Sequence, residues 1–293
     1  MIKTFFKLTL ATVLYTVLFM LVNALMPFSQ EFKEMGASGN PAALLFLLIS
    51  SAWACFAIYF VIKHSNYCGA KLFVILFCVM FFIQYFMTQI ETLFFGGAFI
   101  HLSKSDIVLI MLCGLFPLSG SVALLVNFFQ NKNTVCENNK INIKKIIIKL
   151  GFIGIIYLCV YMIFGYFVAW QFEELRIFYT GSPEKLSFFG AMVNNIKKNP
   201  IIIPFQILRG ILFGAAIIPI KYMVDKNKII FLVSVCLIYL CTAIVLIIPN
   251  VLFPDIVRIG HLIEMSISML LFGIIVGNIL WDNKSKKPAH NKR

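Results

Sequence analysis

Long apolar blocks run through the chain, broken by short polar clusters. Eight blocks qualify by length, at approximately 7–27, 42–62, 72–95, 106–128, 147–170, 201–220, 229–248 and 262–281. Each reaches the roughly 20 apolar residues needed to cross a hydrocarbon core of about 30 Å. A lone segment in lipid must satisfy its own backbone, so every block predicts a helix. The short alternating strands of an outer-membrane barrel are absent. The expected fold is all-α: a polytopic membrane helix bundle with eight transmembrane helices, forming a single membrane domain over 1–293. The first block has the Lys-flanked form of a secretory signal. Its apolar stretch exceeds the usual h-region of about 7–15 residues and no small-x-small cleavage site follows, so it reads as a retained span.

Composition supports the same class. Hydrophobic residues make up 61% of the chain and charged residues 13%, against about 25% charged in a soluble domain. The net charge of +13 is distributed unevenly. With the N-terminus inside, seventeen Lys and Arg fall in cytoplasmic segments and seven in external ones. That bias predicts both termini on the cytoplasmic side of a bacterial or archaeal plasma membrane. It also assigns the positive charge to loops facing anionic lipid and leaves no call for nucleic acid. The acids lean the other way, with Glu31, Glu34, Asp106, Glu173, Glu174, Glu184, Asp255 and Glu264 external or at the external edge.

Two connections are long. The stretch 129–146 is Asn/Lys-rich and reads as a linker between halves of four spans; 282–293 reads as a cytoplasmic tail. The external segment 171–200 contains "GSPEKLSFFGAMVNNIKKNP". Ser182 suits a cap, Pro183 the first helical position and Lys197 and Lys198 the last turn, predicting a helix over 183–198 that lies on the membrane surface or lids a cavity. Asn-Pro pairs precede spans two and six, and "SGSVALLV" at 119–126 resembles "SISMLLFG" at 266–273. These echoes suggest a 4+4 parallel pseudo-repeat, with chance similarity between apolar spans as the competing reading.

Polar residues inside the apolar blocks carry the candidate chemistry. Intramembrane charge costs about 2.5–3.5 kcal/mol on insertion scales, so each instance asks for a partner or a role. Arg209, in "PFQILRGILFG", lies roughly 12 Å into its span. Gln206 shares its helix face, and Gly210 with Gly214 forms a small-xxx-small step for close helix approach. Arg209 reads equally as a structural bridge to a carboxylate and as part of a site. Gln84, Thr88 and Glu91 recur at i, i+4 and i+7 in span three; Glu91 is a candidate partner. His261, Glu264 and Ser268 form a third stripe at the start of span eight, followed by the Gly273/Gly277 step. At the end of span five, Trp170 and Glu174 share a helix face with Gln171 beside it. Arg258 reads as an ordinary edge charge. All these stripes fall in the outer half of the membrane. They predict an outward-facing polar cavity centred on Glu91, Arg209, His261 and Glu264, with Gln84, Thr88, Gln206 and Glu174 nearby.

Imidazole and carboxylate from His261, Glu264, Glu91 and His101 suit a borderline metal, but His-x-x-Glu alone is a weak signature. No metal and no cofactor is assigned. The eight cysteines show no CxxC spacing and none falls in an external loop, so no disulfide framework is expected. Phosphate-binding loops and nucleophile elbows are absent. The expected partners are the lipid bilayer and a small-molecule or ionic substrate. Three functional readings stay open: binding or transport of a small polar or charged solute, catalysis on an outer-leaflet lipid or lipid-linked substrate, and a non-catalytic membrane partner protein. The stretches "FVAWQFEELRIFY", "FQILRGILFG", "RIGHLIEMSISMLLFGIIVG" and "TQIET" resemble segments of uncharacterised multi-pass membrane proteins of bacteria. That resemblance implies a multi-pass membrane fold and carries no chemistry across.

Overall fold

The computed structural model describes residues 2–37, 40–99, 102–131, 142–224 and 227–282. Most of the 129–146 linker, the tail beyond Asp282, His101 and Cys136 lie outside the described residues. Eight helices are long and apolar enough to cross a membrane: Ile2–Leu25, Ala43–His64, Gly69–Phe94, Lys104–Phe129, Ile143–Gln171, Ile202–Met223, Lys228–Ile247 and Asp255–Leu280. They are called spans one to eight here. Large apolar side chains such as Phe5, Leu45, Phe116, Phe152 and Ile148 point outward from the bundle, the surface a lipid-embedded protein presents.

Several boundaries differ from the sequence expectation. Span eight begins at Asp255, so His261 and Glu264 lie inside the helix rather than at its mouth. Span three is not a regular helix. Residues Phe82–Phe86 form a π-turn, in which the Met87 N–H donates to the Phe82 carbonyl five residues back. The Thr88 hydroxyl reaches back to the Gln84 carbonyl at 3.0 Å and the Tyr85 carbonyl at 2.9 Å. Span five ends in a 3₁₀ turn at Ala169–Gln171, followed by an extended Phe172. Beyond it a short helix, Glu173–Thr180, precedes the helix at Phe188–Lys198. Ser187 caps that second helix, accepting from the Gly190 N–H. The expected start at Ser182–Pro183 is therefore corrected: 182–187 is irregular, and the cap falls where a Ser directly precedes the apolar Phe188–Phe189 pair.

The spans neighbour one another in a closed circuit: one, two, seven, eight, five, six, three, four and back to one. Spans three and seven touch across its middle. Glycines set the closest approaches. A Cβ on Gly210 would sit 2.4 Å from the Tyr157 Cβ and 2.8 Å from the Gly154 Cα, so spans five and six meet almost backbone to backbone. Gly273 and Gly277 pack in the same way against Cys236 and Leu232 of span seven. Deep in the bundle, Tyr157, Phe213, Tyr239 and Phe272 form one aromatic cluster, and the Tyr239 hydroxyl donates to the Phe213 carbonyl at 2.9 Å.

The bundle has two distinguishable ends. The upper end carries the connector helices Gln30–Ala37, Glu173–Thr180 and Phe188–Lys198. At the lower end, Lys145, Lys149 and Lys221 converge on Asp282, tying the ends of spans five and six to that of span eight. Partial burial works to raise the Asp282 carboxyl. Hydrogen bonds from the three lysines outweigh it and hold the group well below the usual carboxylate range.

Candidate functional site

The upper turns of span three bring Glu91 to face span six, where Arg209 is 2% exposed. Arg209 is held bidentately: Nη1 donates to Glu91 Oε1 and Nη2 to Oε2, both at 2.6 Å. Two parallel charge-assisted bonds suit the planar guanidinium fork. Gln206 Oε1 accepts a further bond from Nη1 at 3.0 Å. The rings of Tyr157, Phe205 and Phe213 surround the guanidinium at 5.5–5.9 Å. Beside the pair, Phe94 and Phe205 stack at 3.9 Å and bind span three to span six a second time.

Span eight contributes a looser group. His261 Nδ1 lies 3.8 Å from Glu264 Oε2, beyond hydrogen-bond distance. Its Nε2 shares a 2.9 Å hydrogen bond with the Tyr179 hydroxyl. Ser268 donates to Glu264 Oε1 at 3.3 Å. Tyr179 comes from the short helix after span five, and its ring stacks on Trp170. Burial pushes the Tyr179 hydroxyl up, and the Glu91 and Glu264 carboxylates push it the same way. It therefore keeps its proton.

Between these groups lies a cavity of about 630 Å³ in the upper half of the bundle, within the range of small-molecule sites. Gln84, Thr88, Glu91, His261 and Glu264 line it. Arg209 and Gln206 stand behind the wall, buried, and reach it only through Glu91. Glu174 is corrected: it is exposed on the short helix and takes no part in the lining. The helix of span five breaks at Val168–Phe172, so the face it was expected to share with Trp170 does not continue. Trp170 itself faces the cavity.

Sequence reasoning missed much of the wall. Tyr157, Tyr161, Tyr166 and Tyr179 line it, yet a tyrosine in an apolar block reads as ordinary packing. Arg258 is also corrected. It is buried, donating to the carbonyls of Leu246 and Ile247 and to Asp255, where it caps the end of span seven. Arg176 does similar work, binding the carbonyls of Trp170, Gln171 and Pro183. Arg176 and Arg258 answer carbonyls that broken helices leave open, a need visible only once the breaks are known. No three His, Cys, Asp or Glu side chains among the described residues group closely enough to hold a metal ion. Set against family models, curated proteins and solved structures, the chain matches none.

Proposed function

We propose that the protein is a membrane carrier that binds a small polar or charged solute in this cavity. One observation carries the reading: a cavity large enough for a small molecule lies within the bundle, and ionisable and amide side chains from spans three and eight meet on its walls. Buried polar groups are costly in a membrane and mark solute pathways by default.

The arrangement of the spans supports carriage. Exchanging each span with the one four places along maps the neighbour circuit onto itself. That is the relation expected of two parallel four-span repeats about an axis along the membrane normal. Span three, interrupted by its π-turn, corresponds to span seven, which ends in a 3₁₀ turn at Val245–Ile247. These two irregular spans also touch at the centre. The bias of Lys and Arg places the upper end, and so the cavity, toward the outside.

A carrier exposes its site alternately to both sides. In a cysteine-free background, Met265→Cys on the cavity wall is expected to react with an impermeant thiol reagent in right-side-out and in inside-out vesicles. Ile274→Cys, facing away from the bundle, should react in neither. Labelling of Met265→Cys from one side only would refute carriage and leave a fixed pocket.

A further inference from the structure

The charges around the cavity differ in how far they are satisfied. The Glu91 carboxylate is fully engaged, each oxygen accepting from Arg209 at 2.6 Å. The two terminal nitrogens of Arg209 are likewise committed, while its buried Nε has no partner among the described residues, and the side chain lies behind the wall. Glu264 is different. Its side chain is only 13% exposed, yet its neighbours are the Ser268 hydroxyl at 3.3 Å and the His261 ring at 3.8 Å. No Lys or Arg among the described residues pairs with it. The other cation on the cavity wall, Lys198, belongs to the connector helix at the upper end and is solvent-exposed. A second wall group is also unsatisfied. Gln84 is 5% exposed; its Nε2 donates to the Tyr15 hydroxyl at 3.2 Å, while its Oε1 has no partner among the described residues.

The Gln84 oxygen is sealed from the cavity; the under-compensated Glu264 carboxylate calls for a ligand that brings positive charge and N–H donors. The cavity wall is also aromatic, with Tyr157, Tyr161, Trp170 and Tyr179, and ring faces attract cations. An anionic solute would meet Glu264 and those ring faces, with Arg209 already bound to Glu91. A bare metal ion would want several convergent ligands, and none group here.

Building on the reading of the cavity as a solute site, we infer that its ligand is a small organic cation. Its head is a protonated amine or amidine held by Glu264, and its body is apolar and packs against the aromatic wall.

The test uses two probes of like shape and opposite charge, 2-phenylethylammonium and 3-phenylpropanoate, titrated separately by calorimetry into the purified full chain in detergent, with empty micelles as blank. The ammonium is expected to bind saturably and at least about tenfold more tightly than the carboxylate, a difference of about 1.4 kcal/mol. Glu264→Gln should lose about tenfold or more of that affinity, Glu264→Asp should retain part of it, and Glu174→Gln, outside the cavity, should match the parent. Circular dichroism and gel filtration establish that Glu264→Gln is folded. Tighter binding of the carboxylate would overturn the cationic class while leaving the cavity a solute site. Unchanged ammonium binding by folded Glu264→Gln would overturn the assignment of the head group. Binding of neither probe would also overturn the inference, and the two-sided labelling of Met265→Cys would still decide on carriage independently.

Discussion

Removing either partner of the Arg209–Glu91 pair should have unequal consequences, because the two ends of the pair see different surroundings. Arg209 is 2% exposed and Glu91 27%, the latter on the cavity wall. Glu91→Leu strands a guanidinium whose remaining acceptors are Gln206 Oε1 at 3.0 Å and the Met87 carbonyl at 3.5 Å. An uncompensated buried charge of this kind costs about 3–5 kcal/mol. Arg209→Met leaves a carboxylate that cavity water or a proton can reach. Its cost is the lost charge-assisted hydrogen bonding, about 1.5–3 kcal/mol. Replacing both residues removes the stranded charge, so the double variant should be more stable than Glu91→Leu alone. Reversible unfolding by sodium dodecyl sulfate from mixed micelles, followed by circular dichroism, measures all three on one scale. A double variant that costs the sum of the singles would refute the direct pairing. Arg209→Met costing more than Glu91→Leu would refute the argument from exposure.

Two further outcomes follow from other contacts. Gly210→Ala forces a Cβ to within 2.4 Å of the Tyr157 Cβ, which cannot swing aside; spans five and six must part, at about 1–3 kcal/mol in the same unfolding assay, whereas Gly151→Ala, with open space around it, should change stability by less than about 0.5 kcal/mol. The Asp282 carboxyl is held below its ordinary range, so its contribution is full above the unfolded value of about 3.9 and is lost as pH falls below it; thermal unfolding should therefore show a loss of stability on acidification that Asp282→Asn flattens.

The eight spans were legible because crossing lipid demands a length of apolar chain that few other structures need. Arg209 was legible as a deep charge that asks for a partner or a role, with Glu91 as a candidate partner, while the choice between bridge and site stayed open. The glycine steps announced close approach, though not which helix approaches: Gly210 meets span five and Gly273 meets span seven. What escaped notice depended on where helices break. The 3₁₀ turn and extended Phe172 after span five turn Glu174 away and bring Trp170 and Tyr179 in. The Arg176 side chain satisfies the Trp170 and Gln171 carbonyls that this break opens, and hydrophobic periodicity carries no sign of it. The aromatic wall was hidden for another reason: rings facing a cavity and rings filling a core obey the same periodicity.

The π-turn of span three governs azimuth. An α-helix rotates about 100° per residue, and the widened turn at Phe82–Phe86 inserts a phase step between the two halves of the span. Both halves of the span pack on span four, and the half above Phe86 is phased so that Glu91 meets Arg209 of span six. Winding the same residues as an uninterrupted α-helix would leave the span's hydrophobicity untouched. It would rotate Glu91 by about 100° about the helix axis and unhook the pair that joins span three to span six. The widened turn thus acts as an angular spacer, and the chemistry of the upper half depends on the winding of one turn as much as on any side chain.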